Sequence, residues 1–267
     1  MNILDKIVER KKVEVADRKS KRTLKELEAS PLFSAANLSL KKFLLDPERT
    51  GIIAEFKKKS PSKGIINANA LPEVVTKQYE EAGASAVSVL TDIDFFGGSD
   101  EDLARARKAI NIPILRKDFI VDEYQIVEAK AMGANVILLI AACLPTEQVK
   151  QFSEFTHSLG MEVLLEVHNE EELFANLYPS IDVVGVNNRN LKDFSVSIET
   201  SIRLAELIPA HYLKISESGI SDVASITKLR DQGFNGFLIG ENFMRTADPG
   251  EAMKKFVKEI KEQQTIK

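Results

Sequence analysis

Cysteine, histidine and long apolar runs are scarce in this 267-residue chain, and each scarcity removes a class of function. A single cysteine, Cys143, excludes an intramolecular disulfide and any multi-cysteine zinc site. Only His157, His168 and His211 are available as imidazole ligands, which argues against a histidine-rich metal centre. There is no basic surplus: 36 Lys and Arg stand against 40 Asp and Glu, a net charge of -4. Neutralising nucleic-acid phosphates needs the opposite balance, so a nucleic-acid partner is not expected. The longest apolar run, Val136 to Leu144, is nine residues, far short of the ~20 that span a bilayer. The N-terminal stretch carries Asp5, Glu9, Glu14 and Asp17 among its basic residues, unlike a signal peptide or an organellar presequence. A cytoplasmic protein without a membrane partner or a structural metal is the expectation.

What is present is ordinary globular material, 44% hydrophobic and 28% charged, arranged as one repeated phrase. From residue 50 onward a short apolar, β-rich run is followed by a loop and an amphipathic helix. The runs are Gly51–Glu55, Ala86–Leu90, Ile112–Leu115, Asn135–Ile140, Glu162–Glu166, Asp182–Val186, Tyr212–Ser216 and Gly236–Ile239. Asp122 and Gly133 suit the N-cap and the C-terminal stop of one intervening helix. Continuous apolar strands separated by helices predict a parallel sheet covered by helices. Eight such units match a closed (β/α)8 TIM barrel better than an open Rossmann-type sheet, since no G-x-G-x-x-G follows the first strand. Residues 1–50 carry separate helical patterns, including Leu24–Glu28 and Leu38–Leu45. They read as an N-terminal helical extension packed on a barrel of residues 51–267, the whole forming a single domain.

In such a barrel the chemistry lies at the C-terminal strand ends. Those positions hold Glu55 and Lys57, Lys117 and Asp118, Glu166, then Asn187, Asn188 and Arg189, and finally Glu217 and Ser218. Alternate residues of a strand share a face, so Glu55 and Lys57 point together, as do Leu115 and Lys117, and Leu164 and Glu166. Two lysines and three glutamates converging on one mouth suit acid–base catalysis; the competing reading is a set of solvated rim salt bridges. Gly219 after the seventh run and Gly240 after the eighth, with Glu241 opening a short helical stretch, suit a phosphate held by backbone N–H groups. The basic segment Phe56–Ala70, with Lys57, Lys58, Lys59 and Lys63, suggests a flap over an anionic substrate, although Lys58 and Lys63 read as solvated surface charge. Phe95, Phe96 and Phe119 could face a planar substrate, Cys143 reads as a small buried hydrophobe, and the three histidines receive no role.

The segments IIAEFKKKSPSKG, SVLTDIDFFGGS, ILRKDFIVDEYQI, LLEVHNEEEL, VGVNNRNLKDF, SESGI and LIGENFM, spanning residues 52 to 244, together resemble indole-3-glycerol-phosphate synthase of the tryptophan pathway. The resemblance implies a monofunctional carboxy-lyase without a cofactor. Its substrate would be the phosphorylated small molecule 1-(2-carboxyphenylamino)-1-deoxyribulose 5-phosphate, and its product indole-3-glycerol phosphate. It implies Lys117 as the general acid, Glu166 as its acid–base partner, and Lys57 as a second catalytic lysine concerned with dehydration. Glu55, Asn187 and Glu217 would orient or support the reacting centre. Lys59, Gly219, Gly240 and the backbone of Glu241 would hold phosphate, with Ser218 and Arg189 nearby and with Ser60, Phe96 and Phe119 lining the substrate. Glu241 stands where some members carry Ser, a change that a backbone contact survives. A monomer is expected, with transient contact to other tryptophan-pathway enzymes as its only protein association. A ketol isomerase on the same scaffold and a non-catalytic phosphometabolite binder are the rival readings.

Overall fold

The structure, a computed structural model, describes residues 3–191 and 193–265. Lys192, inside the NNRNLKDF motif, lies outside the described residues, as do the terminal residues Met1, Asn2, Ile266 and Lys267.

Eight parallel strands close into a barrel: β1 (Ile52–Phe56), β2 (Ala86–Leu90), β3 (Ile114–Lys117), β4 (Val136–Ile140), β5 (Glu162–Val167), β6 (Val183–Asn187), β7 (Leu213–Glu217) and β8 (Gly236–Ile239). Each pairs with its sequence neighbours, and β1 closes the ring by pairing with both β2 and β8. The (β/α)8 expectation is borne out, and its eight runs match the eight strands. Several strands run one or two residues further than their apolar stretch. β3 begins after Pro113, which has no N–H for the ladder, and continues through Arg116 and Lys117, registered against Val89 and Leu90. β6 and β7 likewise include Asn187 and Glu217, which pair with each other. The polar residues marked out by the sequence therefore sit within or immediately beside rigid strand ends.

Alternation sorts the strand side chains. Ile53, Ala86, Leu115, Val136, Leu138, Leu164, Val183, Ile215 and Leu238 fill the barrel interior, whereas Ile52, Ala54, Val87, Ile137 and Val163 face the helical layer. The helix Glu123–Met132 starts at Asp122, whose side chain accepts from the Tyr124 N–H, and stops at Gly133 in the left-handed conformation (φ 87°), as the sequence predicts.

The first residues form α1 (Ile3–Lys21), α2 (Leu24–Glu28) and α3 (Leu40–Leu45). A capping box between Thr23 and Glu26 starts α2, and α3 starts two residues later than its pattern because Ser39 caps it. From α3, Leu40 and Leu44 join the apolar plug inside the barrel. From α1, Ile3, Leu4 and Ile7 line the large cavity at the opposite mouth. The fully buried Lys11 fixes α1 there: its Nζ lies 3.0 Å from both Asp92 and Asp118 and 2.9 Å from Glu14. Arg116, also fully buried, extends the network to Asp118, Asp100 and Glu128, and Arg18 joins it from α1. Among the described residues no helix is long and apolar enough to cross a membrane.

Candidate active site

The C-terminal ends of the strands surround a cavity whose empty space, counted with its open mouth, is about 1050 Å³. Its floor is Leu138, Ile140 and Leu238; Phe96 and Phe119 form one wall, their ring centroids 6.0 Å apart. The Phe96 backbone is held by Asp92, whose Oδ1 accepts from the N–H groups of Phe95 and Phe96 at 2.8 and 3.2 Å. Phe95 packs against the barrel interior and does not line the cavity.

Lys117 is the hub. Its Nζ donates to Glu166 Oε2 at 2.9 Å and to Glu217 Oε2 at 3.1 Å. The other oxygen of Glu166 accepts from Asn187 Nδ2 at 3.0 Å, and Asn187 Oδ1 accepts from the Arg189 N–H. Glu55 pairs with Lys57 at 2.7 Å on the β1 side of the same cavity. Glu55, Lys57, Lys117, Glu166, Asn187 and Glu217 are thus gathered at one mouth, rather than dispersed in rim salt bridges.

Environment separates these groups. Burial works against the charge on Lys117, but Glu166, Glu217 and Glu55 outweigh it, so the ammonium is held more firmly than usual. Burial also opposes ionisation of Glu166, yet Lys117 and His168 prevail and hold its carboxyl below the usual range. At Glu217 burial wins, with Lys117 only partly opposing it and Glu166 adding to it, and the carboxyl is pushed up. Glu217 Oε1 is buried without a hydrogen-bond partner in the structure. It occupies room left by Gly185, where a Cβ would collide with it. Two carboxylates sharing one lysine but driven apart in acidity are suited to opposite proton-transfer roles.

Beside this cavity lies a second, shallower one, bounded by Lys57, Lys63, Arg189, Ser218, Gly219, Gly240, Glu241, Asn242 and Arg245. Four cations and the glycines after β7 and β8 suit it to a phosphate. Ser218 and Gly219 both adopt left-handed backbone (φ 68° and 73°), a conformation costing a non-glycine residue ~1 kcal/mol and found preferentially at ligand sites. Glu241 begins a four-residue helix whose N-cap is Gly240. Sequence reasoning assigned Lys59 to the phosphate site, but here its Nζ donates to the Asp94 carbonyl at 3.0 Å and it lines neither cavity. Lys63, read from sequence as solvated charge, is exposed and, with Lys57, lines the second cavity. Lys58, also read as solvated, is instead paired: it donates to both oxygens of the buried Asp102 at 2.8 and 2.9 Å. Ser60 lines the main cavity and accepts from the Lys63 N–H.

Two further residues grouped with the site by sequence serve other ends. Asn188 is turned into the scaffold, donating to Ser216 Oγ and the Ser218 carbonyl. Asp118 is buried under Lys11 and Arg116. Burial pushes the Cys143 thiol up to about 12, so it is inert. His157 pairs with Asp182 and His211 stacks on Tyr212, both away from the cavities. His168 is different: it lines the main cavity next to Glu166. Its signal in the sequence was the two-residue spacing in E-V-H, which puts it on the face of Glu166. Among the described residues no cluster of three or more His, Cys, Asp or Glu could hold a metal ion.

Comparison with known proteins agrees with this geometry. Among solved structures, a mutant tryptophan synthase alpha-subunit from Pyrococcus furiosus superposes with TM-score 0.60 at 15% identity, covering 79% of this chain and 98% of that one. The native KDPGal structure gives 0.56 at 15%, covering 81% and 95%. Both likenesses concern the barrel alone. In sequence, the indole-3-glycerol phosphate synthase of Bacteroides thetaiotaomicron is 47% identical over 259 residues, 97% of this chain and 99% of that protein. The protein of the same name from Acinetobacter baumannii (strain ATCC 17978) is 46% identical over 256 residues, 94% and 93% of the two chains. The family model for indole-3-glycerol phosphate synthase matches residues 4–256, and the chain belongs to that family.

Proposed function

We propose that this chain converts 1-(2-carboxyphenylamino)-1-deoxyribulose 5-phosphate to indole-3-glycerol phosphate, carbon dioxide and water, with Lys117 and Glu166 as its central acid–base pair. The ring carbon bearing the carboxylate attacks the substrate ketone, and positive charge grows on the ring as negative charge grows on the ketone oxygen. The Lys117 ammonium stabilises that oxygen and passes it a proton as it becomes an alkoxide, a base strong enough to take one even from a firmly held ammonium. The ring–carboxylate bond then breaks, its electron pair restores the aromatic ring, and carbon dioxide leaves. Loss of the new hydroxyl as water, with a proton from the neighbouring carbon, closes the indole; Lys57 donates to the departing hydroxyl and Glu166 accepts the proton. Glu55 orients Lys57, Asn187 orients Glu166, and Glu217 supports the charge of Lys117. The substrate phosphate lies at Gly219, Gly240 and the Glu241 backbone, with Arg189 and Lys63 supplying charge.

The observation that carries this reading is the Lys117 ammonium held between two carboxylates of unlike acidity, 2.9 and 3.1 Å away, in a cavity adjoining a cationic, glycine-lined pocket. A ketol isomerase needs no second lysine, and a mere binder needs no such pair. Purified protein mixed with the substrate should generate the indole chromophore without added cofactor. A folded protein that leaves the substrate unchanged would refute the assignment. The reading includes a cytoplasmic monomer, testable by light scattering, whose extension and barrel unfold together as one domain.

Gly240→Val tests the phosphate end. A Cβ at residue 240 would lie 2.6 Å from Glu55 Oε1 and 3.0 Å from Glu55 Cβ, so the variant both obstructs the anion and displaces the partner of Lys57. Losing a charge-assisted contact worth ~1.5–3 kcal/mol should raise KM and the Kd for inorganic phosphate by roughly tenfold or more. The turnover number should fall as well. Unchanged phosphate affinity in a folded variant would move the anion elsewhere.

The loop after β1 is tied at its base, where Lys59 and Ser60 pair with Ile65 and Gly64, and the Ile66 and Asn67 N–H groups donate to the Lys58 carbonyl. Its tip, Pro61 to Ile65, is exposed, and Lys63 is the one lysine within it. Trypsin should therefore make its first cut in this segment after Lys63, not at the paired Lys57 or Lys58. Saturating indole-3-glycerol phosphate should slow that cut by drawing Lys63 to the phosphate. Mass mapping of a timed digest reads both effects, and a first cut after Lys58 would contradict the anchoring.

A further inference from the structure

His168 lines the reaction cavity yet takes no part in the steps above. It follows β5 directly, its side chain is 9% exposed, and it sits between two carboxylates. Nδ1 lies 3.1 Å from Glu172 Oε2, which also accepts from the His168 backbone N–H at 2.8 Å. Glu172 is itself fixed, because its Oε1 accepts from Asn169 Nδ2. A carboxylate only accepts, so Nδ1 carries a hydrogen. Nε2 then faces Glu166 Oε1 at 3.4 Å and makes no hydrogen bond.

That arrangement suits one protonation state. A neutral ring with its hydrogen on Nδ1 would turn the Nε2 lone pair toward a carboxylate oxygen, which is repulsive. An imidazolium turns an N–H toward it. The remaining groups favour the cation: burial opposes it, but Glu172, Glu166 and Glu217 outweigh burial and hold the ring's pKa above its ordinary value. Cys143, which feels the same Glu166 and Glu172 carboxylates, stays a neutral thiol. Glu166 meanwhile keeps its Oε1 on Asn187 and its Oε2 on Lys117.

We propose that His168, carried as an imidazolium on Glu172, is a positioning residue that keeps Glu166 ionised with its Oε2 turned toward Lys117. The role in turnover rests on the reaction assigned above. Loss of the ring charge should allow Glu166 to take a proton at higher pH. In His168→Asn the acidic limb of kcat should therefore move up by about one pH unit, the usual scale for removing an adjacent opposite charge. That shift is roughly a tenfold loss at pH values below the wild-type limb and little loss well above the limb of the variant. KM should stay within about twofold, because binding energy comes mainly from the phosphate and the aryl wall. Glu172→Gln, which leaves the ring in place but removes its partner's charge, should move the limb in the same direction. A direct readout needs no turnover: in ring-labelled protein followed by NMR, His168 should titrate about one unit lower in Glu166→Gln than in wild type.

A uniform loss of kcat at all pH values, or superimposable limbs in both variants, would overturn the proposal. So would a His168 titration indifferent to Glu166. If His168→Asn does not fold, Glu172→Gln and the NMR titration decide. If the wild type makes no indole product, the assigned reaction fails, and the NMR titration still decides whether His168 and Glu166 are coupled.

Discussion

Lys117→Met is expected to lower kcat by ~10²-fold or more while the fold and most of the substrate affinity persist. Methionine has about the length of lysine and no charge, so the cavity keeps its shape and loses only the ammonium. Two consequences follow at once. In the proposed reaction the ketone oxygen loses the ammonium that meets its developing charge, and Glu166 and Glu217 are left facing each other without the Nζ they share. Two buried carboxylates in that position cannot both stay ionised, so one takes a proton and the acid–base division collapses. Glu166→Gln should also impair turnover, with the circular dichroism spectrum unchanged. Near-wild-type turnover in both variants would remove the pair from the mechanism. Because Glu166 and its neighbours hold the Lys117 proton so firmly, any loss of wild-type activity between pH 6 and 8 should follow the carboxyls and His168, not this lysine.

The barrel was legible because most β-runs are apolar on both faces and several helices carry their own start and stop, as at Asp122 and Gly133. The mouth was legible for a similar reason: Glu55, Lys117, Glu166, Asn187 and Glu217 interrupt apolar runs at the same end of five of the eight units, and period-two alternation turns them inward. What escaped the sequence depends on contacts between distant segments. Lys11 and Arg116 looked like two charges among many, and only the meeting of α1 with the loops after β2 and β3 makes them a buried network. Lys58 read as solvated because its partner, Asp102, lies in the next β/α unit. The orientation of Lys59 is set by the Asp94 carbonyl across the mouth, a contact no local pattern encodes. His168 was passed over because its partner at Nδ1, Glu172, belongs to the next helix and meets it only when that helix docks.

Lys11→Met should lower stability by about 3–5 kcal/mol, the cost of breaking a buried ion pair from one side. The lysine is fully buried and shared by Asp92, Asp118 and Glu14. Burial disfavours its charge, but the three carboxylates more than compensate and raise its pKa. Without it Asp92 has no cation within ion-pair reach among the described contacts, while Asp118 keeps only Arg116. At ~2–4 °C per kcal/mol for a chain near this size, the melting temperature should drop by roughly 10 °C. Activity should fall too, since Asp92 also holds the Phe95 and Phe96 backbone and α1 supplies Ile3, Leu4 and Ile7 to the cavity. The pH dependence has a definite sign. Burial opposes the charge on Asp118, but Arg116 and Lys11 hold its carboxyl below the usual value. Its contribution is therefore present above the unfolded aspartate pKa and is lost as pH falls through the folded one. The deficit of Lys11→Met relative to wild type should accordingly be largest near neutrality and shrink in acid. Adding Asp92→Asn to Lys11→Met should restore part of the loss by removing the uncompensated charge. Thermal melts of the three proteins from neutrality down through the aspartate range, to about pH 2.5, would test this. A single variant within 2 °C of wild type at neutral pH would mean that the N-terminal helix is held by its apolar stripe alone.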